Sequence, residues 1–156
     1  MGLALQQAEQ AAARGEVPVG AVLMSAGELV AADGNRIEET RDPTAHAELL
    51  VLRAGAARMG SARLTTCDLY VTLEPCPMCA YAVSLARIRR LYFAAPDRKA
   101  GGVEHGPRIF HSSSCHHRPE VYGGIDERRS AELLRAFFRA RRQAAQPPRS
   151  HHAVRP

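Results

Sequence analysis

No apolar run in this chain is long enough to span a membrane. The longest strongly apolar stretch, residues 17–24, has eight residues and contains Pro18, far below the roughly 20 that a bilayer core requires. The first 13 residues mix Gln6, Gln7, Glu9 and Gln10 among alanine and leucine, so they lack the basic start and unbroken apolar core of a secretory signal. Internal repeats and long low-complexity segments are absent, which argues against solenoid architectures. Cysteine is sparse, four residues in 156, and no export signal points to a disulfide framework. The expected compartment is the cytoplasm, where a Cys-x-x-Cys pair binds metal or carries out redox chemistry.

What remains fits one globular domain with a real core, 46% hydrophobic and 24% charged. The pattern order is α/β. Leu3, Leu5, Ala8, Ala11 and Ala12 space a short first helix ending near Gly15. Residues 17–24 and 28–32 read as strands joined into a hairpin at Ser25-Ala26-Gly27. After a polar loop over 33–43, a helix runs from Thr44 or Ala45 to Met59 and stops at Gly60. Residues 68–72 read as a strand, 77–87 as a helix and 90–95 as a strand, a unit that crosses over right-handed and makes its strands parallel. Glycine and proline break every period over 96–119, and 126–142 forms the last helix. From Gln143 the sequence, with Pro147-Pro148 and His151-His152, is expected not to fold. The expected domain is therefore 1–142, followed by a disordered tail over 143–156.

Two short motifs carry the chemistry: His46-Ala47-Glu48 and, thirty residues on, Pro75-Cys76-Pro77-Met78-Cys79. His46, Cys76 and Cys79 make three ligands for one zinc ion, and three protein ligands leave a tetrahedral position to water, as catalytic rather than structural sites do. Both motifs fall at helix starts, where unpaired N–H groups favour thiolates. Cys76 is kept out of helical geometry by Pro77, which suits the first turn, and Cys79 projects from the same side. His46 and Glu48 stand roughly 200° apart on a helix, so only a target beyond the helix start is within reach of both. Zinc lowers the pKa of its water from ~15.7 towards ~7, and Glu48 is left free to move protons as general acid and base.

Two other readings compete with this one. A thioredoxin-like redox pair requires neither His46 nor Glu48. A structural zinc lacks a fourth ligand once Glu48 is otherwise used. Cys67 and Cys115 belong to no motif and read as buried bystander thiols. Cys115-His116-His117 has no fourth ligand nearby and lies in a Gly/Pro-rich loop, which argues against a second metal site.

His-x-Glu followed by Pro-Cys-x-x-Cys is the known signature of zinc deaminases acting on nucleobases, so the motif identifies the chemistry by resemblance. Beyond it, the chain resembles the bacterial tRNA-specific adenosine deaminases, which convert the wobble adenosine of an anticodon to inosine. The likeness runs from about Gly15 to Gln143 and includes residues 15–22, Asn35-Arg36, 42–48, 72–80 and 137–143. The resemblance implies an α/β fold, a three-layer α-β-α arrangement of the cytidine-deaminase type around a five-stranded mixed central sheet. It implies one Zn2+ per subunit on His46, Cys76 and Cys79, Glu48 as proton shuttle, and a tRNA anticodon stem-loop, of an Arg tRNA, as partner. It also implies a homodimer whose RNA site includes both subunits. Asn35 would hydrogen-bond the flipped-out nucleoside; the alternative is a left-handed turn residue after Asp33-Gly34. Asp97 and Lys99 match loop positions that face the anticodon; the alternative is a solvated loop.

Charge offers a separate line of argument. Residues 1–100 hold 11 basic and 11 acidic side chains, residues 101–156 hold 10 and 5, so the whole +5 excess lies in the C-terminal third. On the last helix Leu133, Leu134, Phe137 and Phe138 form an apolar face. Arg128, Arg135, Arg139 and Arg142 fall within about 60° of one another on the far side. Such a stripe suits a phosphate backbone; a solvated face in a chain with 20 arginines and one lysine is the alternative. Arg141 lies near the apolar direction and, with Arg142, is expected to face RNA.

The loop after Lys99, residues 100–108, departs from the small-residue stretch of many relatives through Glu104 and His105. Three functions are distinguishable. The first is hydrolytic deamination of adenosine 34 in tRNA. The second is deamination of a free base or nucleoside of the guanine or cytosine type, which needs a closed pocket often sealed by a C-terminal aromatic; none follows Phe138. The third is a noncatalytic zinc module.

Overall fold

The computed structural model of the protein describes residues 1–145. Ala26 (φ 49°) and Gly27 (φ 84°) both adopt positive φ, the conformation whose twist closes a two-residue hairpin. The hairpin joins β1 (Gly20–Ser25) to β2 (Glu28–Gly34). β1 also pairs antiparallel with β3 (Cys67–Leu73), which pairs parallel with β4 (Arg90–Ala95), and β4 pairs parallel with β5 (Glu120–Tyr122). The order β2-β1-β3-β4-β5 gives the five-stranded mixed sheet.

Side-chain parity along β1 sorts the helices into two layers. Gly20 and Gly34 face each other in register, and a Cβ on either would run into α1 (Gly2–Ala13). Leu23, an odd number of residues away and so on the other face, fills the space beside Gly55 of α3 (Ala47–Met59). The layer of α3 and α4 (Pro77–Leu85) closes the main core, in which Leu23, Val51, Leu69, Val71, Val83, Leu91 and Phe93 are buried. α5 (Glu127–Ala144) lies beside α1 against β3 and β4. Its one buried residue is Ser130, whose hydroxyl donates to the Thr72 carbonyl.

Several boundaries differ from the sequence-based expectations. The first strand begins at Gly20 rather than Val17, because Pro18 has no N–H and the Val19 N–H turns back to the Val17 carbonyl at 2.7 Å. β2 continues to Gly34, and the expected loop over 33–43 contains the short helix α2 (Ile37–Thr40). α4 ends at Leu85, ahead of Arg87, which is left-handed at φ 59°. β5 lies where no strand pattern is legible. α5 runs to Ala144, so Gln143 and Ala144 are helical and not the start of a tail. Ala145 is the C-cap of α5, and residues 146–156 of the expected tail lie outside the described residues.

The strand ends set the position of the site. Parallel β3 and β4 finish side by side, with the Glu74 N–H donating to the Ala95 carbonyl at 2.8 Å. Ligand crevices in open α/β sheets form outside such carboxyl ends. No described helix is long and apolar enough to cross a membrane.

Candidate active site

His46 is the N-cap of α3 (φ −73°, ψ 146°) and Cys76 the N-cap of α4 (φ −65°, ψ 169°), and neither side chain caps its own helix. They turn to each other instead. His46 Nδ1 lies 3.7 Å from Cys76 Sγ and 3.6 Å from Cys79 Sγ. All three candidate ligand atoms fall within 4.8 Å of one another. A tetrahedral zinc with bonds of ~2.3 Å to sulfur and ~2.05 Å to nitrogen requires a sulfur–nitrogen separation of about 3.5 Å, so the trio fits that ion. Among the described residues no other His, Cys, Asp or Glu group gathers in this way.

The electrostatics of the protein alone are asymmetric. Cys76 is pulled down to about 4, chiefly by the hydrogen bond from the Cys79 thiol, against burial, with His46 helping. Cys79 keeps its proton, held by that same bond to Cys76 and then by burial. His46 is raised, first by its hydrogen bond to Cys76. A divalent cation binding here displaces the remaining protons. Glu48, in the first turn of α3 and buried, is pushed up to about 7 by desolvation. Its Oε2 is the one fully buried side-chain oxygen or nitrogen without a hydrogen-bond partner among the described residues. Such an orphan in native protein calls for an explanation, and Glu48 lines a cavity with His46 and Cys76.

That cavity holds about 190 Å³ and is also lined by Val19, Asn35 and Ile37. Asn35 is buried, and its Oδ1 accepts the Ala47 N–H at 2.9 Å. It is not among the residues with positive φ, so the left-handed turn reading is corrected: this side chain organises the start of α3. Val17, Leu73, Asp97 and Ala100 line both the cavity and a larger groove of about 670 Å³. Lys99, Leu134, Arg135, Phe138, Arg139 and Arg142 complete the groove. Asp97, Lys99 and Arg142 thus come together in the groove that adjoins the cavity lined by His46 and Cys76. Arg135, Arg139 and Arg142 meet the apolar face at the groove rather than standing on its far side. Arg141 does not line the groove; its guanidinium sits 5.4 Å from the centre of the Phe137 ring. Arg128 does not line it either.

Two residues had no signal of their own in the sequence. Glu74, with a fully buried side chain, accepts backbone N–H groups from Asp97, Val103, Glu104 and His105, and His105 Nδ1–H at 2.7 Å. Burial opposes its ionisation, but those donors, His105 and Asp97 first, outweigh it and hold the carboxyl below its ordinary range. Its place immediately before Pro75-Cys76 was the available clue. Glu16, buried, accepts the Glu38 and Glu39 N–H groups at 2.9 Å each and so seats α2 next to Asn35. The Cys115 segment serves as a clamp: Ser84 Oγ donates to the His117 carbonyl at 2.7 Å, and His117 Nε2–H donates to the Ile88 carbonyl at 2.6 Å. Cys67 is buried, as is Cys115.

Residues 1–95 match the family described as the cytidine and deoxycytidylate deaminase zinc-binding region. The chain is 55% identical over 142 residues to the tRNA-specific adenosine deaminase of Agrobacterium fabrum, across 91% of this chain and 93% of that protein. It is 43% identical over 138 residues to the protein of that name from Aquifex aeolicus, across 88% and 90%. A solved structure from work described as "Biochemical and Structural Studies of A-to-I Editing by tRNA:A34 Deaminases at the Wobble Position of Transfer RNA" superposes with a TM-score of 0.85 at 54% identity, over 86% of this chain and 97% of that one. A guanine deaminase from Nitrosomonas europaea superposes with a TM-score of 0.74 at 26% identity, over 87% and 81%. With its ligand trio inside the matched region and more than half of its positions shared along nearly the full length of one relative, the chain belongs to the cytidine and deoxycytidylate deaminase family, on the branch of the tRNA-specific adenosine deaminases.

Proposed function

We propose that this protein hydrolyses adenosine 34 of a tRNA anticodon to inosine and ammonia, with His46, Cys76 and Cys79 holding Zn2+ and Glu48 moving the protons. The observation that carries the reading is the partnerless Glu48 Oε2, buried beside the ligand trio in a cavity that opens into an arginine-lined groove. Zinc bound there supplies a water acidic enough to act as a nucleophile near neutral pH. Glu48, buried beside the ligand trio with its carboxyl raised by desolvation in the protein alone, is placed to take a proton and return it. It serves the ring nitrogen next to the attacked carbon first and the departing amine second. Asn35 Oδ1 is occupied by Ala47, which leaves its amide N–H groups for an acceptor on the purine.

The cavity admits a single base, which must leave the stack to enter it. The shared lining of Val17, Leu73, Asp97 and Ala100 leaves the mouth open to the groove, where Lys99, Arg135, Arg139 and Arg142 face the phosphates that follow the base. A free base would be held better by a closed mouth. The domain comprises α1 to α5, the partner is the anticodon stem-loop of an Arg tRNA, and the compartment is the cytoplasm. Met78, Tyr81 and Leu85 are 37%, 36% and 63% exposed along one face of α4, an apolar strip that supports a homodimer.

Zinc-loaded protein incubated with an Arg tRNA carrying A34 is expected to yield inosine at that position, and a chelator to stop it. Guanine, cytosine and free adenosine are assayed in parallel. Turnover of a free base with untouched tRNA overturns the reading.

A further inference from the structure

We infer that Glu74 is a positioning residue that fastens the RNA-facing loop over 97–105 to the metal-ligand segment, with His105 as its side-chain partner. The inference rests on the function proposed above, because it concerns how Asp97 and Lys99 are held at the groove.

One carboxylate pins both ends of this loop. Oε2 accepts the Asp97 N–H at 3.0 Å, where the loop begins. Oε1 accepts the N–H groups of Val103, Glu104 and His105 at 3.2, 2.8 and 2.9 Å, where it ends. His105 Nδ1–H completes the set on Oε2 at 2.7 Å. Between the two ends, Asp97 Oδ1 accepts the Lys99 and Ala100 N–H groups at 3.0 Å each, which shapes the turn that carries Lys99 to the groove.

The other side of the loop rests directly on the ligand segment. The Gly102 N–H donates to the Pro75 carbonyl at 2.8 Å, and a Cβ at Gly102 would stand 2.6 Å from the Pro77 nitrogen. A Cβ at Gly101 would stand 2.6 Å from Glu74 Cδ. There is no slack at either point. Glu74 therefore links three things through one side chain: the strand end of β3, the segment bearing Cys76, and the turn bearing Asp97 and Lys99. Three consecutive N–H groups curled around one buried oxygen favour an anionic acceptor of this reach. A glutamine there would turn an N–H2 group onto backbone donors.

The test uses zinc-loaded full-length protein and an anticodon stem-loop carrying A34, with KM and kcat measured separately and binding followed by fluorescence anisotropy. His105→Ala removes one of the five hydrogen bonds and leaves four backbone bonds, so the fold survives. It is expected to raise KM and Kd about tenfold with kcat within about twofold and zinc at one ion per chain. His105→Asn places an amide N–H where Nδ1–H was and should recover most of that loss. Glu74→Gln and Gly101→Ala should shift KM and Kd the same way and further. If wild type is active and His105→Ala and Glu74→Gln leave KM and Kd unchanged, or if His105→Asn is no better than His105→Ala, the positioning role is overturned while the proposed function stands. If wild type neither binds nor deaminates the RNA, the proposed function falls, and this role with it.

Discussion

Asn35 Oδ1 accepts the backbone N–H of Ala47, the residue between His46 and Glu48, at 2.9 Å. The two candidate active-site side chains at the start of α3 therefore share one support. Asn35→Ala leaves a buried donor unpaired at a helix start, a change worth about 1–2 kcal/mol, and removes the amide proposed to meet the purine. Urea denaturation should register that loss of stability, and kcat/KM on tRNA should fall at least about tenfold. A stability loss with unchanged kcat/KM would assign Asn35 to the helix start alone.

Glu48 gives the metal-free protein a pH signature. Its carboxyl has an ordinary value of 4.5 and stands at about 7 in the fold. Between those values the folded chain keeps a proton that the unfolded chain has released, so this group weakens folding as pH rises from 4.5 to 7. The size is about 3 kcal/mol. Cys76 and His46 titrate in both proteins, so denaturation of chelator-treated protein at pH 5 and pH 8 should show Glu48→Gln gaining stability over wild type as pH rises. Equal slopes in the two proteins would contradict it.

Metal removal should expose one thiol selectively. Cys76 is half-buried and pulled down to about 4, first by Cys79, while Cys67 is buried and pushed up by desolvation. Iodoacetamide near pH 6.5 should alkylate Cys76 first in metal-free protein, and zinc should protect it. Peptide mapping reads the site; equal labelling of Cys67 would oppose this account.

The groove arginines are predicted to act through phosphate charge. Arg139→Ala and Arg142→Ala should leave folding unchanged and weaken tRNA binding, lowering the salt slope of log K by about 1 for each phosphate no longer neutralised. Arg141→Ala, outside the groove, should lower it less. Binding titrations across salt concentrations separate the three.

The ligand trio was legible in the sequence because each ligand sits at or just inside a helix start, and Pro77 and the alanine-rich segment after His46 mark those starts locally. Mixed-sheet connectivity followed for β3, α4 and β4 from pattern order alone. β5 was not legible, since Glu120, Val121 and Tyr122 are too few for an alternation to show. Residues 17–19 read as strand because two valines flank Pro18, and only the Val19 to Val17 hydrogen bond reveals the turn. The role of Glu74 depends on backbone N–H groups 23 to 31 residues away, and backbone donors leave no trace in residue identity. Helical-wheel arithmetic found the arginine stripe on α5 but could not place it, because the groove forms where the helix meets the 97–100 loop.

The most direct test of the central claim, that Glu48 moves protons beside a metal held by His46, Cys76 and Cys79, is single-turnover inosine formation by Glu48→Gln at matched zinc content. The variant is predicted to bind one zinc per chain and the same tRNA while its rate falls by about 10²–10⁴-fold. Undiminished inosine formation by zinc-loaded Glu48→Gln would contradict the account.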